Sequence, residues 1–472
     1  MLQLPTKTTD VPKNFRAALS KVLVDTVGVA TNTLAHSLMA IKKRNADTAM
    51  LEDPQDYATL VRKAVEGFVD MYCVEGTREK KFEPIEVTVE DCEKWASRLD
   101  TPALKALQSM DLNYYGKDFT RLKFMGKLKK KTRPIAESRD KFAVMATIAY
   151  HSKELNALVS PAFLKVRDRM ISCLKPSVAL YMRKSPKDLE EFVREHLSLS
   201  VDPSTEFVAS LNPIGDIGSS ADFVCGDSLE ADYEKFDKNA NFRKIEIENE
   251  LYKRFGLSWR FVEEWLADQE RTVVKSYESG IKFMKIWQRS TGTAPTALGN
   301  SIVTATSFPA AYDVWPDGFK FLLVLGDDSY GVTRRPMRQL QNLTERVARV
   351  YNLQVKMVSQ ATTRYFCSYF ILDSPDGVIF VADPIKTMLK LGEAQIVVDG
   401  KTFLGERWIS FKDTMRHYDD ESVFESLALA TSERYPKYSF SDCMVVVRAL
   451  AQIASTEQSF RDLFEEPQHF FM

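Results

Sequence analysis

The sequence predicts an α+β fold, with a central antiparallel sheet and helices, flanked on both sides by mostly helical material. Three observations carry that prediction. Apolar residues recur at helical spacing from about Asn14 to Val74, again from Ala146 to His196, and from about Phe403 to Phe464. Two apolar runs, one from about Phe223 to Ala231 and one from Phe321 to Leu325, read as strands that pass straight into acidic residues. Between them lie helical segments and a small-residue loop, so strands and helices share the middle of the chain.

Taken in order, the N-terminal region offers AALSKVLVDTVGVATNTL and TLVRKAVEGFVDMYCV as amphipathic helices. The basic stretch Arg121 to Lys141 follows, and then the second helical region. After the strand that ends before Asp232 come the helical segments RKIEIENELYKRFGL and SWRFVEEWLADQERTVV. FKFLLVLGDDSYGVTR reads as a β-hairpin, PMRQLQNLTERVARVYNL as a helix and QVKMV as a strand. RYFCSYFILDSPDGVIFVAD reads as a further hairpin, with Ser-Pro-Asp-Gly supplying the turn.

With 472 residues the chain can bury a large core and divide into lobes. A composition of 44% hydrophobic and 27% charged residues places it among globular proteins rather than disordered or membrane-embedded ones. A formal net charge of -1 rules out a global basic field, so any nucleic-acid partner must meet basic charge confined to a channel. The 6 cysteines stand singly, none in a C-x-x-C pair, which argues for reduced thiols and against a zinc module. No apolar signal core and no membrane span are expected, so work at a membrane would need a partner or a surface helix.

Gly326-Asp327-Asp328 follows an apolar strand, where desolvated and unpaired carboxylates would cost on the order of several kcal/mol each. A bound divalent cation removes that cost, and Gly326 permits a tight corner. The plain alternative is an exposed turn with two surface aspartates. Asp419-Asp420 in HYDDESVFE shows that Asp-Asp alone says little, because its neighbourhood is polar. Asp232 closes the other apolar run and Asp237 follows it in DYEKFD. With the two strands side by side, Asp232 and Asp327 would face one another, as two-metal phosphoryl transfer requires of cations roughly 3.5–4 Å apart. Oxygen ligands without nearby His or Cys point to Mg²⁺ or Mn²⁺.

RSTGTAPTALGNSIVTATSF supplies a loop and then a helix entered through Pro295. Thr296, Asn300 and Thr304 recur every four residues on one face, and Gly292 would let the loop flex or approach a ligand. This stripe can serve a ribose or template nucleotide, or merely cover a loop. Lys127, Lys129, Lys130, Lys131 and Arg133 form a cationic run suited to the phosphates of a nucleoside triphosphate, although most such runs are solvated faces.

D-x4-D, then (S/T)-G-x3-T-x3-N, then G-D-D resembles motifs A, B and C of positive-strand RNA virus RNA-dependent RNA polymerases. EADYEKFDKN, WQRSTGTAPTALGNSIVT and GDDS look like the alphavirus-like group, specifically tobamovirus and bromovirus replicases. ATIAYHSKELNALVSPAF, RYFCSYFI and DPIKTMLKLGE extend the resemblance over roughly Lys123 to Glu393. Thr291 stands where tobamoviruses usually have Ser, and Thr293 replaces an Asp common in both groups.

The resemblance implies a right-hand fold of fingers, palm and helical thumb. Its expected divisions are an N-terminal helical extension over 1–110, fingers with basic motif F over 111–222, a palm over 223–375 with a finger insertion about 240–288, and a thumb over 376–472. It implies metal-binding and catalytic roles for Asp232, Asp327 and Asp328, with Lys356 protonating pyrophosphate. Asp237, Asn300 and Thr296 would read the ribose 2′-hydroxyl, and Lys127, Lys129, Lys131 and Arg133 would meet the triphosphate. Partners would be template and nascent RNA, nucleoside triphosphates and a viral methyltransferase/helicase protein, in membrane-associated complexes of the host cell cytoplasm. A reverse transcriptase normally carries an aromatic gate in motif A, and a non-catalytic RNA-binding scaffold has no need for three converging carboxylates.

Overall fold

A computed structural model of the chain describes residues 2–3, 14–22, 34–45, 57–97, 117–127, 146–182, 184–198, 228–234, 236–237, 239, 241–276, 280–311, 318–333, 345, 347–348, 351–359, 363–374, 377–393, 395–397, 403–465 and 468–471. Its strands are β1 Leu2–Gln3, β2 Asn14–Ala18, β3 Arg121–Lys127, β4 Ala146–Tyr150, β5 Val178–Leu180, β6 Ser228–Glu234, β7 Arg271–Lys275 and β8 Lys282–Ile286. They continue as β9 Phe319–Leu325, β10 Asp328–Thr333, β11 Gln354–Ser359, β12 Arg364–Phe366, β13 Tyr369–Ser374, β14 Gly377–Ala382, β15 Gln395–Val397 and β16 Gln468–Phe471. The helices are α1 Leu34–Asn45, α2 Tyr57–Tyr72, α3 Val89–Ala96, α4 Lys153–Ser172, α5 Pro186–Ser198, α6 Phe242–Arg254 and α7 Trp259–Glu270. The remainder are α8 Thr296–Ala311, α9 Pro384–Leu391, α10 Phe403–Thr414, α11 Phe424–Arg434, α12 Phe440–Ser455 and α13 Glu457–Arg461.

The central sheet has the order β11-β6-β10-β9-β5, antiparallel except for the parallel β5–β9 pair. The apolar run Phe321–Leu325 of strand β9 is explained by burial on both faces. Leu322 and Val324 join the large core formed with α2, α4, α6 and α8, while Phe321 and Leu323 pack with Leu189, Phe192 and Val193 of α5. Helix α8 lies over the first of these faces. Tyr72 of α2 donates to the carbonyl of Ala305 at 2.9 Å, and Gly67 leaves room for Pro309, whose Cβ would lie 2.5 Å from an added Cβ.

A second sheet has the order β1-β8-β7-β3-β4 and joins segments on both sides of Asp232 in sequence. A third is the meander β12-β13-β14, and the fourth has the order β15-β2-β16. Helices with antiparallel and mixed sheets therefore make up the fold, as the α+β expectation requires.

Three local differences have physical causes. Asn14–Ala18, expected to be helical, is the middle strand between β15 and β16, so nonlocal pairing overrides a weak helical pattern. Residues expected as a helical N-terminal extension thus give strands to two sheets. The segment RTVVK, read as the end of a helix, is β7, where β-branched residues fit between β3 and β8. RYFCSYFILDSPDGVIFVAD holds three strands rather than two, because Cys367 and Ser368 turn the chain at φ 51° and 68° without the Gly or Asn that usually announces such a turn. The helix expected over 336–353 lies largely outside the described residues. Cys73, Cys92, Cys173, Cys367 and Cys443 are free thiols, and Cys225 lies outside the described residues.

Candidate active site

The corner between β9 and β10 is built on Gly326, whose φ of 61° favours glycine. Helix α8 holds that corner by both main-chain groups. The Gly326 N–H donates to the Ser301 hydroxyl at 2.9 Å, and the Thr304 hydroxyl donates to the Gly326 carbonyl at 2.7 Å. Ser301 and Thr304 are completely buried, so these are low-dielectric hydrogen bonds that fix where Asp327 begins.

Strand register then assembles the acidic group. Asp328 pairs with Asp232 across β10 and β6, and Lys356 pairs with Asp232 across β11 and β6. Lys356, Asp232 and Asp328 therefore form one row across three strands. The sequence suggested Asp327 opposite Asp232. The structure places Asp328 there and leaves Asp327 exposed on the corner beside it.

The carboxyl of Asp327 is pushed up to about 6, first by incomplete hydration and then by the like charges of Asp328, Asp237 and Asp232. Asp328 is also raised, by burial and by Asp232, against a hydrogen bond from the Cys367 thiol and the charge of Lys386. Crowded carboxylates of this kind are relieved by a cation. Among the described residues no three His, Cys, Asp or Glu side chains meet as a finished metal cage. An all-oxygen set of aspartates nevertheless fits Mg²⁺ or Mn²⁺, because Mg²⁺ is commonly held by one or two carboxylates plus waters and substrate phosphates.

Asn300 of α8 donates from Nδ2 to Oδ1 of Asp237 at 2.9 Å, bringing together two residues 63 apart in sequence. The Oδ1 of Asn300 is buried and finds no hydrogen-bond partner among the described residues. Thr296, one turn earlier, points its hydroxyl inward to the carbonyls of Ser290 at 2.7 Å and Thr293 at 2.9 Å. The stripe of Thr296, Asn300 and Thr304 thus performs three tasks: closing the helix start, holding Asp237, and anchoring the Gly326 corner.

Gly292 makes its close approach to β4. Its N–H donates to the Ala149 carbonyl at 2.9 Å, and an added Cβ would lie 2.8 Å from that of Tyr150. Thr291 donates to the carbonyl of Thr147 at 2.9 Å in the same contact. Lys127 ends β3, while Lys129, Lys130, Lys131 and Arg133 lie outside the described residues. β3 pairs with β4, so Lys127 ends a strand of the sheet against which the Gly292 loop docks.

The sequence reading missed three buried cations, Lys244, Lys285 and Arg289, each within the electrostatic reach of Asp237. A signal was available: in KFMKI, strict alternation puts Lys285 on the same face as Phe283.

A family profile described as RNA dependent RNA polymerase matches residues 5–207 and 215–463. The "RNA-directed RNA polymerase 2a" of Cucumber mosaic virus (strain MB-8) is 26% identical over 448 residues, 93% of this chain and 47% of the relative. The "Replicase large subunit" of Pepper mild mottle virus (strain Japan) is 27% identical over 446 residues, 92% of this chain and 25% of the relative. The "RNA replication protein" of Citrus leprosis virus C is 27% identical over 333 residues, 70% of this chain and 12% of the relative. The chain thus spans between about an eighth and about half the length of these relatives.

Proposed function

Because this chain belongs to the RNA-dependent RNA polymerase family, we propose that it performs template-directed RNA synthesis for a positive-strand RNA virus of the alphavirus-like group. The observation that carries this reading is the row of Lys356, Asp232 and Asp328 beside Asp327, with Asp237 held by Asn300. The RNA 3′-hydroxyl attacks the α-phosphorus of a nucleoside triphosphate, and the bond to pyrophosphate breaks in line. Mg²⁺ or Mn²⁺ bound by Asp232, Asp327 and Asp328 would stabilise the attacking and leaving oxygens.

The chain's own groups have separate tasks in this scheme. Asn300 and Asp237 receive the ribose 2′-hydroxyl with Thr296, and Gly292 shapes the loop that leads into the helix carrying Asn300. Lys127, Lys129, Lys131 and Arg133 meet the triphosphate, and Lys356 gives a proton to the departing pyrophosphate. Within a right-hand arrangement, residues 111–222 with 240–288 form fingers, 223–375 the palm and 376–472 the thumb.

Template RNA and nascent RNA are the macromolecular substrates, and a viral methyltransferase/helicase protein is the partner. No helix among the described residues is long and apolar enough to cross a membrane. Location at membranes of the host cytoplasm therefore falls to partners in this reading.

Primer extension on an RNA template with Mg²⁺ tests the function. The parent extends with ribonucleotides, and Asp327→Ala extends at least ~100-fold more slowly. Equal rates would overturn the assignment. A scaffold would extend with neither protein, and a reverse transcriptase would prefer deoxynucleotides.

A further inference from the structure

Strand β8 buries Lys285 on the same face as Phe283 and exposes the flanking Met284 and Ile286. Lys285 is 3% exposed, whereas Met284 is 37% and Ile286 55% exposed. A one-residue slip against β7 would reverse those faces, burying Lys282, Met284 and Ile286 and exposing Phe283 together with the Lys285 ammonium. The observed register buries an ammonium beside Phe283 in an apolar layer, so the amine must be held by specific partners.

Those partners lie at the start of the loop leading into α8. Lys285 Nζ donates to the carbonyl of Arg289 at 2.6 Å and to the Ser290 hydroxyl at 3.1 Å. The Ser290 carbonyl in turn accepts from Thr293 at 2.9 Å and from Thr296 at 2.7 Å. One buried amine therefore sets the loop on which the first turn of α8 hangs.

Arg289 secures the same helix from the side. Its guanidinium pairs with Glu248 of α6, with only 7% and 2% of the two side chains exposed. The pair passes directly beside Gly299, where an added Cβ would collide with the Glu248 carboxylate and lie 2.8 Å from Arg289 Nη2. The next residue is Asn300, which holds Asp237. Asp237 also lends its negative charge to both buried cations.

We infer that Lys285 and Arg289 are positioning residues for ribose selection: they fix the loop and the helix turn that hold Asn300 against Asp237. This rests on the polymerase reading, and on its assignment of Asp237 and Asn300 to the 2′-hydroxyl. Neither cation touches the substrate in this scheme. Their effect reaches the sugar through the Arg289–Ser290 backbone and through the Glu248 pair beside Gly299.

The test is single-nucleotide primer extension, comparing kcat/KM for a ribonucleoside triphosphate and its 2′-deoxy analogue. Lys285→Met and Arg289→Met lower the ribose preference by about 10-fold, with ribonucleotide KM changing more than kcat. Arg289→Lys recovers part of the preference by restoring charge opposite Glu248. Ser290→Ala, which removes one of the lysine's two acceptors, gives a smaller loss in a fold that keeps both cations. If all four variants keep the parent's preference while rates for both sugars fall together, the role is structural and the inference fails. Absence of ribose preference in the parent overturns this inference while leaving RNA synthesis intact. Absence of extension by the parent overturns the polymerase reading and the inference with it.

Discussion

Arg434 donates through both arms of its guanidinium to Glu230, at 3.0 and 2.7 Å, and Glu230 lies two residues before Asp232 on β6. The guanidinium also stacks 3.4 Å from the centre of the Tyr365 ring. Tyr365 and Tyr435 both donate to Asp383, at 2.7 and 2.6 Å. The end of α11 is thereby tied to the strand that carries Asp232. Arg434→Met leaves Glu230 partly buried without its counter-charge, a loss of about 2 kcal/mol in stability. The Mg²⁺ concentration for half-maximal extension should rise, because the Asp232 strand loses its brace. Arg434→Lys, which cannot bond as a fork, should fall between the two. Denaturant melts and Mg²⁺ titrations of extension measure both effects.

Ser301 and Thr304 are the only groups in α8 described as bonding the Gly326 main chain. Ser301→Ala and Thr304→Val each remove one hydrogen bond to the partly buried Gly326 main chain, at about 1 kcal/mol. The extension rate should fall by ~10-fold or more, since small displacements of reacting groups are costly. Melting curves and single-turnover extension report the two quantities. Unchanged single-turnover rates would mean that the corner holds its place without α8.

Asp327 should give metal-free protein a distinctive pH response. Its folded value of about 6 lies above the ordinary 3.8, so between these values the folded state binds more protons. Stability from this group is greatest at low pH, falls as pH rises toward 6 and stays low above it. Asp327→Asn therefore raises the melting temperature of metal-free protein at pH 7.5 and changes it little at pH 4. Mg²⁺ should raise the parent's melting temperature at pH 7.5 more than that of the variant. Equal shifts would separate Asp327 from metal binding.

Glu190 of α5 should govern acid stability elsewhere. Its carboxylate accepts from the Phe380 N–H at 3.0 Å, from His417 at 2.8 Å and from Arg416 at 2.8 Å. Burial opposes the charge, but the His417 and Phe380 hydrogen bonds and the Arg416 guanidinium outweigh it and hold the carboxyl below its ordinary 4.5. A depressed carboxyl contributes stability above 4.5 that is lost as pH falls through the folded value. Glu190→Gln should lower stability at pH 7 and flatten the parent's acid-side decline, as thermal melts across pH would show.

Several features of the site were legible because local chemistry alone demands them. An apolar strand running into Asp327-Asp328 and a helix entered after Pro295 need no knowledge of distant contacts, whereas the joint role of Asp237 and Asn300 was implied only by the family resemblance. The roles within the Thr296, Asn300 and Thr304 stripe were not legible, since periodicity gives a shared face but not the partner each side chain finds there.

By itself the sequence determined the chemical inventory: which carboxylates end apolar strands, which helix lies between them in the chain, and which oxygens suit a hard cation. Only tertiary structure decided that Asp328 stands across from Asp232, that β2 lies between β15 and β16, and that Lys285 faces inward. The reason is common to all three. Strand register has a period of two, and its choice depends on contacts between segments about 100 to 450 residues apart in chain order or on buried partners of a single amine, none of which a local pattern records.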